Sequence, residues 1–67
     1  MNNIKFKLVH CANGIELGMP ERYYLKLREY CCEKGIAVSK YLQVTLEESD
    51  FNMSDFYLKM ESDIFIN

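Results

Sequence analysis

The side chains best suited to chemistry in this 67-residue chain are one histidine and three cysteines. His10 has no carboxylate or cysteine that the expected local structure places beside it, so it lacks the partner of a general base. Cys31 and Cys32 are adjacent and point to different sides of a helix, whereas zinc ligands are normally spaced apart. Phosphate-binding glycine loops and serine nucleophile elbows are missing from the sequence. We predict a non-enzymatic protein with no catalytic residue, no metal site and no cofactor.

An alternating segment is the first element that would position functional side chains. Apolar Ile15, Leu17 and Met19 alternate with glycine and glutamate, which is the period of a half-buried strand. Pro20 ends the strand and suits the first turn of a helix, predicted over 20–35. The expected core positions of this helix are Leu27 and Cys31.

Gly35 and Ser39 predict how the first helix ends and a second begins. Glycine favours the left-handed conformation that closes a helix, and serine is a good amino-terminal cap. The second helix is predicted over 39–49. Its inner positions are expected to be Leu42, Thr45 and Leu46, with Tyr41 beside them.

A second strand precedes this segment and predicts a β-hairpin over 4–19. Asn13-Gly14 is a strong signal for a type I′ turn. In that register Ala12 pairs with Ile15, His10 with Leu17, and Leu8 with Met19. The inner face would then carry Ile4, Phe6, Leu8, Ile15, Leu17 and Met19.

A third amphipathic helix is predicted over 53–65. Met53, Tyr57, Met60 and Ile64 recur at helical spacing. Asn52 or Ser54 would cap this helix, and Phe51 would cover the core. The stripe either packs on the protein's own dimer or forms a docking surface for another protein, since Met and aromatic side chains suit adaptable interfaces.

The order of strand, helix, tight turn and helix resembles the ribbon-helix-helix family, the Arc and MetJ type of small dimeric repressors. The carriers are the strand ending in Met19-Pro20, the core positions Leu27 and Cys31, the 35–39 turn, and Leu42 with Leu46. The resemblance covers Gly14 to about Ser49. It implies an α+β fold: a ribbon-helix-helix homodimer, here with an added N-terminal strand and a short C-terminal helix.

The resemblance also implies a site for double-stranded DNA. In the family, outward strand residues read base edges in the major groove, and the start of the second helix contacts a phosphate. Lys5 and Lys7, which the predicted register places on the outer face, would reach backbone phosphates. The matching base-reading positions are Gly14, Glu16 and Gly18, and the phosphate positions are Val38, Ser39 and Lys40.

Charge and size bear on the choice between functions. The net charge is −2 and the pI about 5.2, but residues 1–46 carry seven basic and four acidic side chains, while 47–67 carry one and six. A domain of this size is marginal alone, so we expect a homodimer. We also expect no leader, because residues 1–10 lack a long apolar core, and no membrane span, because no apolar stretch is long enough. The odd number of cysteines suits a reducing compartment, so we expect a cytoplasmic protein.

An alternative function follows from the same features. Glycine and glutamate offer little for base recognition, and the acidic tail is unusual for a DNA binder. The chain would then be an antitoxin-like protein-interaction module, or an inhibitor of a host macromolecule. Its expected partner-binding residues are Asp55, Tyr57, Met60, Glu61 and Ile64.

Overall fold

The computed structural model describes residues 5–65, and these form a two-stranded antiparallel sheet and three helices. The elements follow one another as β1 (Phe6–His10), β2 (Glu16–Pro20), α1 (Glu21–Lys34), α2 (Val38–Glu48) and α3 (Met53–Phe65). The α+β class is therefore confirmed. Ile4, which the sequence analysis assigned to the hairpin, lies outside the described residues.

The hairpin has a register one residue away from the predicted one. Val9 pairs with Leu17 and Leu8 with Gly18, and the loop contains three residues, 12–14. Gly14 takes a positive φ of 90° after a turn closed by its N–H on the carbonyl of Cys11. A three-residue loop with glycine in this conformation is a common hairpin connection. The predicted two-residue turn is wrong.

The register shift exchanges the two faces of β1, because side chains alternate along a strand. Val9 and Cys11 point into the core with Leu17 and Met19 of β2. Phe6 and Leu8, which were expected inside, lie outside with 68% of each side chain exposed. The assignment of Glu16 and Gly18 to the outer face agrees with the structure.

The two central helices begin and end at clear signals. Pro20 precedes α1, and Gly35 closes it with a φ of 71° and hydrogen bonds to the carbonyls of Cys31 and Cys32. The cap of α2 is Ala37, with no side-chain hydrogen bond, so the predicted role of Ser39 as a cap is wrong. Leu27, Cys31, Leu42, Thr45 and Leu46 are all buried, as the helical spacing predicts.

Helix α3 completes the core within one chain. Phe56 and Met60 are fully buried and Ile64 is nearly so, whereas Met53 is 41% exposed. The buried stripe is thus displaced from the predicted one. Asn52 caps α3, since its side-chain oxygen accepts from the backbone N–H of Asp55.

The connection from α2 to α3 exposes a side chain that we expected to be buried. Asp50 and Phe51 both take positive φ, 53° and 59°. Phe51 is 54% exposed, so the prediction that it covers the core is wrong.

Candidate interaction surfaces of the sheet and of α3

The outer face of the sheet is the main exposed apolar surface of the hairpin. Phe6 and Leu8 lie on it, and Gly18 opposite Leu8 adds no side chain. A Cβ atom built on Gly18 would lie 3.9 Å from Leu8 Cδ2, an ordinary contact, so the glycine leaves a shallow depression in this face. Large exposed apolar groups that lie together mark interaction sites.

His10 and Glu16 close the other end of the outer face. They are cross-strand neighbours, and His10 Nε2 lies 2.9 Å from a carboxylate oxygen of Glu16. His10 therefore lies on the outer face beside a carboxylate, and the prediction that it has none beside it is wrong because of the register shift. Both side chains are more than half exposed, so the pair is a solvated contact of small energetic weight.

The edge of β1 that faces away from β2 has unpaired backbone groups. Glu21 N–H donates to Lys5 O and Cys11 N–H to Ile15 O, which shows that odd-numbered residues of β1 bond to β2. The N–H and C=O groups of Phe6, Leu8 and His10 therefore point away. Within residues 5–65 no backbone group pairs with them.

The opposite edge of the sheet, formed by β2, is contacted by one side chain of α3. The hydroxyl of Tyr57 donates a hydrogen bond of 2.6 Å to the carbonyl oxygen of Gly18. Pro20, the next residue whose backbone faces that edge, has no N–H to offer. A strand that approached this edge would lose one acceptor to Tyr57 and would find one donor missing.

The lysines that were expected to contact DNA do not lie on the outer face. Lys7 has the same strand parity as buried Val9, and its Nζ lies 4.9 Å from the ring centroid of Tyr24 on α1. Arg28 approaches the same ring at 5.8 Å. Lys5 is exposed, and its carbonyl receives the N–H of Glu21. The prediction that Lys7 lies on the outer face is wrong.

The remaining residues of the predicted DNA site surround the start of α2. Val38 and Ser39 are half-buried, and Lys40 is exposed. The N–H of Ala12 in the hairpin loop donates to the carbonyl of Ser39 at 3.1 Å, so the loop with Gly14 lies beside this helix end. The structure therefore places the Gly14 loop beside the start of α2. The Lys7 side chain lies elsewhere, against the ring of Tyr24.

Most of the residues proposed to bind a partner through the tail are engaged inside the chain. Met60 and Ile64 are buried in the core and present no surface to a partner. Tyr57 is bonded to Gly18, and Glu61 accepts a hydrogen bond from the hydroxyl of Tyr23 on α1. Within residues 5–65, Asp55 is the one member of this set whose side chain is exposed and has no hydrogen bond or ion pair. The tail is a structural helix in this fold.

Three tyrosine hydroxyls attach α3 to the rest of the protein. Tyr23 and Tyr57 bond to Glu61 and Gly18, and Tyr41 donates to a carboxylate oxygen of Asp63 at 2.6 Å. Burial and the hydrogen bond to Asp63 raise the pKa of Tyr41 well above its ordinary value. The hydrogen bond to Glu61 raises the pKa of Tyr23, and burial raises that of Tyr57. All three hydroxyls therefore stay protonated at neutral pH.

Two features of the sheet were not predicted from the sequence: the unpaired edge of β1 and the hydrogen bond from Tyr57 to the edge of β2. The signal for the first was present: Phe6 and Leu8 alternate with Lys7 and Val9, and only the register decides which pair is outside. The bond of Tyr57 to Gly18 joins residues 39 positions apart and has no local signal.

Comparisons with protein-family models, with curated proteins and with solved structures find no match to this chain. Among residues 5–65, no helix is long and apolar enough to cross a membrane. In the same part of the chain, no group of three or more His, Cys, Asp or Glu side chains is arranged to hold a metal ion. Burial raises the pKa of the Cys11 and Cys31 thiols, which disfavours their reactive thiolate form.

Proposed function

We propose that this protein is a non-enzymatic interaction module that binds another protein through the outer face of its hairpin sheet. The observation that carries the proposal is the exposure of Phe6 and Leu8, at 68% each, on a face that the fold leaves uncovered within residues 5–65. Aromatic and aliphatic side chains of this kind form the energetic centres of protein interfaces.

The charge of the outer face also favours a protein over a nucleic acid. Its ionisable side chains within the strands are His10 and Glu16, which pair with each other. Nucleic-acid affinity depends on lysine and arginine that neutralise phosphates, and Lys7 points to the opposite face. An apolar surface with a polar end fits the anatomy of a protein interface.

Substitution of Phe6 tests this proposal against a matched surface change. Phe6→Ser and Leu8→Ser are compared with Leu58→Ser, because Leu58 is 65% exposed on α3 and lies outside the sheet. Tagged proteins are used for capture in the native host, and a recovered partner is purified for titration. We expect affinity to fall at least about tenfold for the two sheet variants and to stay within about twofold for the α3 variant.

Three results would count against the proposal. Equal binding by all variants would show that the outer face is not the site. Equal loss in all three would point to a general defect. The absence of any partner that prefers the wild-type protein to Phe6→Ser would leave the face without a protein ligand and contradict the proposal.

A second candidate is a DNA-binding regulator of the ribbon-helix-helix type. The specific observation in its favour is the start of α2, where exposed Lys40 lies next to free helix N–H groups and the Gly14 loop. The family ribbon forms when two copies of this strand pair with each other, and here that edge of β2 carries the Tyr57 bond. Ribbon formation would therefore require Tyr57 to leave Gly18.

A salt titration with random duplex DNA and with the DNA upstream of the gene tests this second candidate. If Lys40 contacts a phosphate, Lys40→Ala should weaken binding to both DNAs equally and reduce the salt slope by about one. Lys59→Ala is the control, because Lys59 is already paired with Glu48. No binding at low salt would remove DNA from consideration.

A further inference from the structure

We propose that the open edge of β1 pairs with the same edge of a second copy of this chain. The product is a four-stranded antiparallel sheet in the order β2, β1, β1, β2, with the outer faces of both copies joined. This inference deepens the proposed function, because the doubled outer face would be the surface offered to the partner protein. Dimer formation can be measured in the absence of the partner protein.

The edge of β1 lacks the features that normally keep a strand edge unpaired. Proteins protect edges with outward charges, prolines, bulges or a covering element. Here the outward side chains are Phe6, Leu8 and His10, and the lysine of the strand is turned to the ring of Tyr24. Within residues 5–65 nothing covers the outward N–H and C=O groups.

The sequence of β1 matches itself when two copies run antiparallel with Leu8 opposite Leu8. Phe6 then lies opposite His10 of the other copy, and all three outward residues exchange backbone hydrogen bonds across the interface. On the inner side, Lys7 lies opposite uncharged Val9. A shift that centred the pair on Lys7 would set two like charges opposite each other, which is destabilising. Charge therefore disfavours the register centred on Lys7.

The side chains complete the argument for a second copy. In the register centred on Leu8, the two Leu8 side chains meet at the centre of the joined outer face and the two Phe6 side chains lie on either side. Each depression at Gly18 flanks a Leu8, which leaves room for the central side chains to pack. The result is one continuous apolar surface in place of two small ones.

The other surfaces of the chain fit a second copy less well. The edge of β2 is occupied by Tyr57 and interrupted by Pro20. The exposed face of α1 presents Leu25 and Cys32, but charged Arg28, Glu29 and Glu33 line the same depression. Among residues 5–65, the edge of β1 is the place where unpaired backbone groups lie beside exposed apolar side chains on a strand.

Sedimentation equilibrium across a range of protein concentrations is the first test. The contact is small, so we expect a monomer–dimer equilibrium with a midpoint on the order of 1–100 μM. Leu8→Lys adds an outward charge to the edge and should shift the midpoint upward by at least about tenfold. Leu58→Lys adds the same charge on α3 and should leave the midpoint within about twofold.

Disulfide trapping tests the register. Leu8→Cys, in a Cys32→Ser background that removes the exposed native thiol, sets two cysteines directly opposite each other. We expect it to form a covalent dimer much faster than Leu58→Cys in the same background. Circular dichroism of each variant confirms that the fold is retained, and a variant that fails to fold is replaced by Leu8→Glu for the first test.

The outcomes separate this inference from the proposed function. A dimer that is lost in Leu8→Lys and trapped by Leu8→Cys supports the edge pairing, whether or not a partner protein binds. A monomer at all concentrations up to about 1 mM, or equal trapping at positions 8 and 58, overturns it. Partner binding by a strictly monomeric protein would retain the proposed function and reject the dimer.

Discussion

The two edges of the hairpin sheet are built from strands of the same length but have different surroundings. On β2, the carbonyl of Gly18 accepts the hydroxyl of Tyr57, and Pro20 has no N–H. On β1, the backbone groups of three residues point to the free edge of the strand, and the side chains of the same residues lie on the outer face. One edge carries a hydrogen bond from a helix that follows it in the chain by more than 30 residues, and the other has no backbone partner within residues 5–65.

This difference indicates how a small chain can limit its associations. An exposed strand edge is a general site for pairing with other chains, and in this fold the third helix engages one acceptor on one of the two edges. The core is also completed by that helix, through Phe56 and Met60. Within residues 5–65, the edge of β1 and the outer face next to it have no such contact.

Among these predictions, removal of the core contact of α3 has the largest expected effect on the free energy of unfolding. Phe56→Ala should lower the free energy of unfolding by about 3–5 kcal/mol, because it deletes a fully buried aromatic ring. Leu58→Ala, on the exposed side of the same helix, should change it by less than about 0.5 kcal/mol. Urea denaturation measures both. Similar losses for the two variants would show that α3 does not complete the core.

Proline scanning of β1 distinguishes its inward and outward backbone groups. Val9→Pro removes an N–H that bonds to β2 and should cost about 3 kcal/mol in a dilute, monomeric sample. Leu8→Pro removes an N–H that points to the open edge and should cost less than about 1 kcal/mol. If both variants lose the same stability, the assignment of the open edge is incorrect.

Tyr41→Phe tests the buried attachment of α3 and its pH dependence. Loss of the hydrogen bond to Asp63 should cost about 1.5–3 kcal/mol at pH 7, since the acceptor is a carboxylate. The raised pKa of Tyr41 means that this stability is present below about pH 10 and is lost as the pH rises further. The variant should therefore lose less stability than the wild type between pH 9 and about 11.5.

Tyr24→Phe is the control for that measurement, because no hydrogen bond of the Tyr24 hydroxyl occurs within residues 5–65 and Tyr24 is not among the groups that raise the pKa of Tyr41. Its alkaline loss of stability should match that of the wild type. A Tyr41→Phe profile that also matched the wild type would show that the bond to Asp63 contributes nothing above pH 9.

Tyr57→Phe has the smallest expected effect on stability and the most direct bearing on the comparison. It removes the cover from the carbonyl of Gly18 and should cost about 0.5–1.5 kcal/mol, because water can reach this partly exposed acceptor. With the edge of β2 open, we expect some higher oligomers in addition to dimers at high protein concentration. An unchanged oligomer distribution would show that Pro20 alone is sufficient to close this edge.

The helices were largely predictable from the sequence because their signals are local. Helical spacing identified Leu27, Cys31, Leu42 and Leu46 as core residues, and glycine at position 35 is suited to the left-handed cap that it forms. Each of these signals involves residues that lie only three or four positions apart in the sequence. The prediction therefore required no knowledge of the tertiary fold.

The sheet was predictable in kind but not in register. Asn13-Gly14 fits a two-residue turn and also a three-residue loop in which only Gly14 takes a positive φ. The β1 segment has apolar residues on both sides, so alternation does not distinguish the registers. A shift of one residue moved Phe6 and Leu8 from the core to the surface and changed the candidate site with them.

The phase of α3 was ambiguous for a related reason. Apolar residues occur around most of this helix, and Phe56 competes with adjacent Tyr57 for the inner side. The structure places Phe56 inside and directs Tyr57 to the edge of β2. Only the position of the sheet decides between these two arrangements.

The bond from Tyr57 to Gly18 has a consequence for the order of events during synthesis. The hairpin and the first two helices leave the ribosome before α3 does, and the chain grows at about 5–20 residues per second. For a few seconds, β2 therefore lacks the hydrogen bond from Tyr57 to Gly18. Nascent chains on neighbouring ribosomes could pair through that edge during this interval, and the arrival of Tyr57 ends the opportunity.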